Sequence, residues 1–218
     1  MRHFDDIYAI AADRKGGADA VEAQITPARS PAALAAIPPD RWLATITKCV
    51  FNAGFNWKVI EAKWDGFEAA FHGFDVGRCA MMDDDWCDAL LTDTRIVRNG
   101  TKIQSVRDNA AFLAALDGGP GTVLGGWPSN EYIGLLDLLN REGSRLGGAT
   151  AQYAMRFSGR DSFILSNDVT ARMIAEGVID KPATSKTALR QVQAAFNAWM
   201  EQSGRGLTEI SRVLAMSV

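Results

Sequence analysis

The sequence predicts an all-α fold of about ten helices joined by short loops. Three observations carry that expectation. Apolar residues recur at helical spacing along most of the chain, capping residues stand before the periodic runs, and no segment alternates apolar and polar residues over the length of a strand.

Taken in order, Leu43, Ile46 and Val50 share one face of a first long helix. Asp83 precedes a run containing Trp86, Ala89 and Leu90 and is placed to cap it. Ile103, Val106, Ala110 and Leu113 form the next stripe. Pro128-Ser129-Asn130 opens a leucine-rich run through Ile133, Leu135, Leu136, Leu138 and Leu139. Leu189, Val192, Phe196 and Trp199 make another stripe, and Thr208 caps a last one through Ile210, Val213 and Leu214. Thr122-Val123-Leu124 and Phe163-Ile164-Leu165 are bounded by Gly, Asp or Ser and read as connectors. Breaks fall at Pro27–Pro39, at Asp117–Gly121, at Gly125–Pro128 and at Asp180–Pro182, none of them long or polar enough for a flexible linker. The expectation is one domain over residues 1–218, with the glycine-rich stretch 117–127 as the candidate hinge between two helical lobes.

Composition narrows the function. Over 218 residues, 47% are hydrophobic and 22% charged, the balance of an ordinary globular protein, which excludes general disorder and a disulfide scaffold. Net charge is −3 and the pI about 5.4, so nucleic acid cannot be held by bulk charge and would need a local patch. No apolar run reaches the roughly 18 residues of a membrane span. Acids at Asp5 and Asp6 stand where a signal peptide would be apolar, so a cytoplasmic protein is expected. Cys49, Cys79 and Cys87 are far apart and read as reduced thiols; with His3 and His72 as the only histidines, no metal site and no cofactor are expected.

The most informative segment runs from Gly143 to Ile174. A leucine-rich helix ends at Asn140–Gly143, a glycine turn follows, and a new helix starts near Gly148. Glycines there permit close backbone approach, and the free N–H groups at the start of the next helix suit a phosphate. The same pattern also fits a plain tight turn between core helices.

Leu146-Gly147-Gly148-Ala149-Thr150-Ala151, followed 21 residues after Gly147 by Asp168, resembles the helix-hairpin-helix DNA glycosylases. Those enzymes carry a Leu-x-Gly-Ile/Val-Gly-x-x-Thr-Ala hairpin and then a catalytic aspartate. The match is closest to the second type of 3-methyladenine glycosylase: Thr150-Ala151-Gln152-Tyr153 stands for its Thr-Ala-Asn-Tyr, and Arg160-Asp161-Ser162-Phe163 leads to Asp168 as its Lys-Asp-x-Phe leads to the aspartate. Arg145 falls where that family has the first hairpin glycine.

A second stretch, from about Ile46 to Phe112, resembles the first type of 3-methyladenine DNA glycosylase. It is carried by Ala53-Gly54-Phe55-Asn56-Trp57, by Phe71-His72-Gly73-Phe74-Asp75, and by Arg95 to Ser105 with Asn109-Ala110. That family's pocket glutamate falls on Cys49, and its zinc ligands near the termini have no counterpart.

Together the resemblances imply a monofunctional glycosylase for alkylated purines, acting on damaged double-stranded DNA as a monomer. Asp168 would be the catalytic carboxylate, stabilising positive charge on the deoxyribose. Read alone, Asp168 also fits an N-cap, and Asp6, Asp13 and Asp161 are further carboxylates whose assistance to it the sequence leaves open. Ala149 occupies the place where strand-cutting relatives use a lysine, so no Schiff base can form. Gly54 and Phe55 would form the wedge, Trp57 the wall of a flipped-base pocket, with Trp127 and Tyr153 as further candidates. Leu146, Gly147, Gly148 and Thr150 of the hairpin, with Arg98 and Lys102, would meet phosphate. The alternative is a DNA-binding or damage-sensing protein that keeps the fold without the chemistry.

Overall fold

The computed structural model describes all 218 residues and is entirely helical apart from its loops. It contains fifteen α-helices: α1 (Phe4–Lys15), α2 (Ala18–Glu22), α3 (Pro31–Ala35), α4 (Pro39–Asn52), α5 (Trp57–Ala62), α6 (Trp64–Ala70), α7 (Val76–Ala80), α8 (Asp84–Thr92), α9 (Gly100–Ala114), α10 (Gly119–Val123), α11 (Tyr132–Glu142), α12 (Ala149–Ser158), α13 (Asn167–Ala175), α14 (Lys186–Ser203) and α15 (Leu207–Met216). Single 3-10 turns lie at His72–Phe74 and Ser129–Glu131.

The all-α expectation holds, and the long periodic runs are α4, α9, α11, α14 and α15. The count exceeds the expected ten because α2, α3, α7 and α10 have five residues each. A helix of little more than one turn cannot display the i, i+3, i+7 recurrence that marks a longer one. One of these, α10, takes in Thr122 and Val123, so that run is helical rather than a connector, whereas residues 162–166 form no regular element and connect α12 to α13 as expected. Asp83 does cap α8, accepting the Trp86 N–H at 2.8 Å. Thr208 does not cap α15. The helix starts at Leu207, and the Asp161 carboxylate accepts the N–H groups of Leu207 (3.1 Å) and Thr208 (2.9 Å). A carboxylate supplied from elsewhere in the chain replaces the local cap.

Two compact units emerge. One comprises residues 1–29, 128–135 and 159–218; the other comprises 30–127 and 136–158. The boundary after Trp127 lies at the end of the glycine-rich stretch, and the one after Arg29 lies within the Pro27–Pro39 break.

In the first unit, α1 packs on α14 and α15, and α13 packs on α15. Phe163 stacks on Phe196 at 4.4 Å and meets the edge of Tyr132 at 4.9 Å. The Glu176 side chain, 1% exposed, accepts from the Arg2 N–H and guanidinium (2.8 and 2.6 Å) and from Arg172 (3.2 Å), which also bonds Ser217. These bonds supply the pairing a buried carboxylate requires.

In the second unit, α4 lies against α9 and α12. Phe51, Phe67, Phe71, Phe74 and Trp64 form a continuous aromatic column with centroid separations of 4.7 to 6.2 Å. His72, Gly73 and Phe74 are consecutively left-handed, with φ of 52°, 67° and 60°. Two of the three are not glycine, and such a run costs roughly 1–2 kcal/mol per L-residue. Arg41 holds it in place, donating to the Gly73 carbonyl at 2.7 Å while paired with Glu68 at 2.8 Å. Burial of Phe74 in the column is the other anchor.

Candidate active site

The end of α4 sets the first part of the site. The helix stops at Asn52 because Gly54 takes φ 77°, and the Phe55 N–H turns back onto the Asn52 carbonyl at 2.9 Å. Asn56 then caps α5 by accepting the Lys58 N–H at 2.9 Å, which makes Trp57 the first residue of that helix. Phe55, on the loop, and Trp57, at the start of α5, are both exposed, 42% and 44% accessible. Side chains that contribute to a core do not stay this open.

Lys102 does not reach solvent. It is 3% exposed, and its ammonium donates to the carbonyls of Phe51 (3.0 Å) and Ala53 (2.6 Å) while lying 4.5 Å from the centre of the Phe55 ring. Burial, with a smaller contribution from the Arg145 charge, lowers its pKa. The expectation of a phosphate contact at Lys102 is therefore corrected: an ammonium committed to two buried carbonyls is a clamp on the loop. Of the basic residues near it in sequence, Arg95 pairs with Asp93 at 2.7 Å and Arg107 reaches the Met82 carbonyl and Asp84. Arg98 is exposed and carries no intramolecular partner.

The hairpin between α11 and α12 supplies the second part. Leu146 is 1% exposed and anchors the turn in the core, so its side chain offers nothing to a phosphate. Gly147 and Gly148 are exposed, with Gly148 at φ 56°, and Thr150 is half-buried in the first turn of α12. A Cβ at Gly143 would come within 2.6 Å of the Leu139 carbonyl oxygen and 2.7 Å of Leu146 Cδ1. Arg145 adopts φ 60°, a left-handed conformation that glycine takes without strain, and its guanidinium reaches Thr101 Oγ1 at 3.3 Å. Asn109 ties the hairpin to α9, accepting from the Ser144 N–H (2.8 Å) and donating to the Ser144 carbonyl (3.0 Å).

Tyr153 and Phe157 lie four residues apart on one face of α12. Trp57 meets both edge-on, with centroids at 5.8 and 5.2 Å. Phe157, 52% exposed, was not singled out in the sequence; its signal was the i+4 spacing from Tyr153. Trp127 is half-buried in the loop before Pro128 and takes no part in these ring contacts. A separate cavity of about 460 Å³, lined by Pro39, Asp40, His72, Gly73, Asp75, Val76 and Gly77, contains none of the expected site residues.

Asp168 is not the cap of α13. Ser166 is, accepting the Val169 N–H at 3.3 Å, and Asp168 sits in the first helical turn, exposed and without an intramolecular partner. Asp161 is committed elsewhere: besides the two α15 amides it accepts from Ser129 Oγ at 2.8 Å. The arginines near Asp168 in sequence are committed too, Arg160 being 1% exposed beside the Tyr132 ring and Arg172 8% exposed with Glu176 and Ser217.

Comparison with known proteins bears on these parts unevenly. Residues 41–123 match the methyladenine glycosylase family. That stretch contains the Ala53–Trp57 loop, Cys49 and Arg98, and ends before the hairpin. DNA-3-methyladenine glycosylase 1 of Escherichia coli (strain K12) is 35% identical over 63 residues, which is 28% of this chain and 34% of that protein, so the alignment spans about a third of the relative. A crystal structure of 3-methyladenine DNA glycosylase I superposes with a TM-score of 0.50 at 20% identity, over 65% of this chain and 86% of the other. A variant of such an enzyme in complex with 3-methyladenine, and another from Staphylococcus aureus, each superpose at TM-score 0.50 and 17% identity, over 64% of this chain and 83% of theirs. Over about two-thirds of its length the chain shares the fold of 3-methyladenine DNA glycosylase I. Within this glycosylase-like fold, Cys49 is 4% exposed and burial pushes its thiol up to about 12, so at neutral pH the position holds a neutral group. No set of His, Cys, Asp and Glu side chains is grouped to hold a metal, and no helix is long and apolar enough to cross a membrane.

Proposed function

We propose that this protein is a DNA glycosylase that hydrolyses the N-glycosidic bond of an alkylated purine, 3-methyladenine being the first candidate, and leaves an abasic site. The observation that carries this reading is the half-exposed Trp57 indole, held edge-on by Tyr153 and Phe157 beside the exposed Phe55 loop. An isolated aromatic surface of this kind suits a base that has left the duplex stack, and an N-alkylated purine, already cationic, gains from the ring faces. Phe55 acts as the wedge that holds the gap, and Gly54 lets its loop turn. Gly147, Gly148 and Thr150 at the start of α12, with Arg98, hold phosphates of damaged duplex DNA without reading sequence.

In the chemical step the bond between the purine nitrogen and C1′ breaks, its electron pair goes to the departing base, and the cationic base leaves neutral. The Asp168 carboxylate stabilises the positive charge left on the sugar and takes the proton from the water whose oxygen bonds C1′. Ala149 has no amine to attack the sugar, so the strand is not cut.

The test is release of methylated base from alkylated duplex DNA by wild type and Asp168→Asn. Release by wild type and its loss by at least a hundredfold in the variant are expected. Full activity of Asp168→Asn removes the mechanism; no release by wild type on any damaged duplex removes the enzyme. A second reading, a DNA-binding protein without chemistry, draws on Cys49 in the place of the pocket glutamate and on Arg145 in the place of a hairpin glycine. It expects salt-dependent DNA binding with no base release.

A further inference from the structure

The side chain of Asn52 is the least accounted-for polar group in the second unit. It is 4% exposed, and neither its carbonyl oxygen nor its amide nitrogen has a hydrogen-bond partner. Its backbone is the opposite. The Phe51 and Ala53 carbonyls on either side both accept from Lys102, and the Asn52 carbonyl accepts from the Phe55 N–H. Three successive carbonyls are pinned around a carboxamide that is left with nothing to bond. A buried amide without partners is costly, and native structures retain one where a ligand or water completes it.

Its position gives the orphan a use. Asn52 is the last residue of α4 and stands one turn after Cys49, on the same side of the helix. The resemblance puts a pocket carboxylate at Cys49, and the thiol there is a weak donor and weak acceptor. Asn52 also immediately precedes the loop that carries Phe55 and leads to Trp57.

We propose that Asn52 is a specificity-determining residue that hydrogen-bonds the edge of the extruded base, in the place of the missing carboxylate. This rests on the glycosylase reading above. A carboxamide offers a donor and an acceptor side by side, the complement of an adenine-type edge, where an exocyclic amine adjoins a ring nitrogen. The Lys102 clamp holds the backbone of Asn52 before the base arrives, so little order has to be imposed on binding.

The test uses Asn52→Leu and Asn52→Asp in the full chain, with three readouts: thermal stability, single-turnover release of 3-methyladenine from alkylated duplex DNA, and the shift in Tm on adding free 3-methyladenine. Leucine removes an orphaned polar group and fills similar space, so Asn52→Leu is expected to keep or raise Tm, to lose at least tenfold in release, and to lose the ligand-induced shift. Asn52→Asp preserves shape and an acceptor but no donor; it serves if the leucine variant does not fold, and the same loss of release is expected at an unchanged Tm. Wild-type release and ligand shift in either folded variant overturn the assignment, and so does a loss of release that only tracks a fall in Tm, while the glycosylase reading survives. Absence of base release by wild type overturns the glycosylase reading itself, and this assignment with it.

Discussion

The ammonium of Lys102 lies 2.6 Å from the carbonyl oxygen of Ala53, 49 residues away in sequence, and this contact, with its twin to Phe51, ties α9 to the end of α4. Lys102→Met keeps the stem and removes the donors. Hydrogen bonds from a charged group contribute about 1.5–3 kcal/mol, so a destabilisation of about 2 kcal/mol is expected in urea unfolding. Because the freed carbonyls flank the Phe55 loop, base release should fall further than the stability loss accounts for; equal losses would show that the clamp matters to the fold alone.

Glu176 governs a pH dependence. Burial pushes its carboxyl up, but the Arg2 backbone N–H, the Arg2 guanidinium and Arg172 outweigh this and hold it below its ordinary value of 4.5. Its folded pKa is depressed, so its contribution is present above about pH 4.5 and disappears as pH falls through the lower folded value. Unfolding midpoints measured from pH 6 to pH 3 should therefore fall less steeply in Glu176→Ala than in wild type. At pH 7 the same variant should lose about 3 kcal/mol, since Arg172 is left buried without a carboxylate partner.

Arg145 at φ 60° gives a third expectation. Arg145→Gly relieves a left-handed residue but adds freedom to the unfolded chain, and the two terms of about 1 kcal/mol nearly cancel. Stability should change by less than about 0.5 kcal/mol. The slope of log affinity for duplex DNA against log salt concentration should fall by about one if the guanidinium contacts a phosphate. An unchanged slope would leave Arg145 outside the interface.

The thiols should separate chemically. Burial pushes Cys49 and Cys79 up to about 12, whereas Cys87 is half-buried and shifted less. Since the thiolate is the reactive form, iodoacetamide at pH 8 should label Cys87 first in the folded protein. Rapid labelling of Cys49 would mean that the end of α4 opens on the timescale of the reaction.

Much of this was legible in the residues. The stripe Ile103, Val106, Ala110 and Leu113 is the buried face of α9, and Asp83 caps the helix it precedes. Helical spacing and capping are local, so they survive whatever the rest of the chain does. Lys102, Leu146 and Asp161 were less legible because burial and distant partners decided them. A lysine beside Arg98 reads as surface until α4 places two carbonyls over it, and Asp161 beside Arg160 gives no hint that it will cap α15.

The sequence alone determined the helical class, the apolar faces of the long helices and the glycine turn before α12, because periodicity and backbone permissiveness are properties of neighbouring residues. Tertiary structure decided which charges face solvent, that Trp57 rests against Tyr153 and Phe157, and that the Asn52 carboxamide is buried without a partner. Those outcomes depend on which surfaces are removed from water together, and that is set by contacts between segments dozens of residues apart.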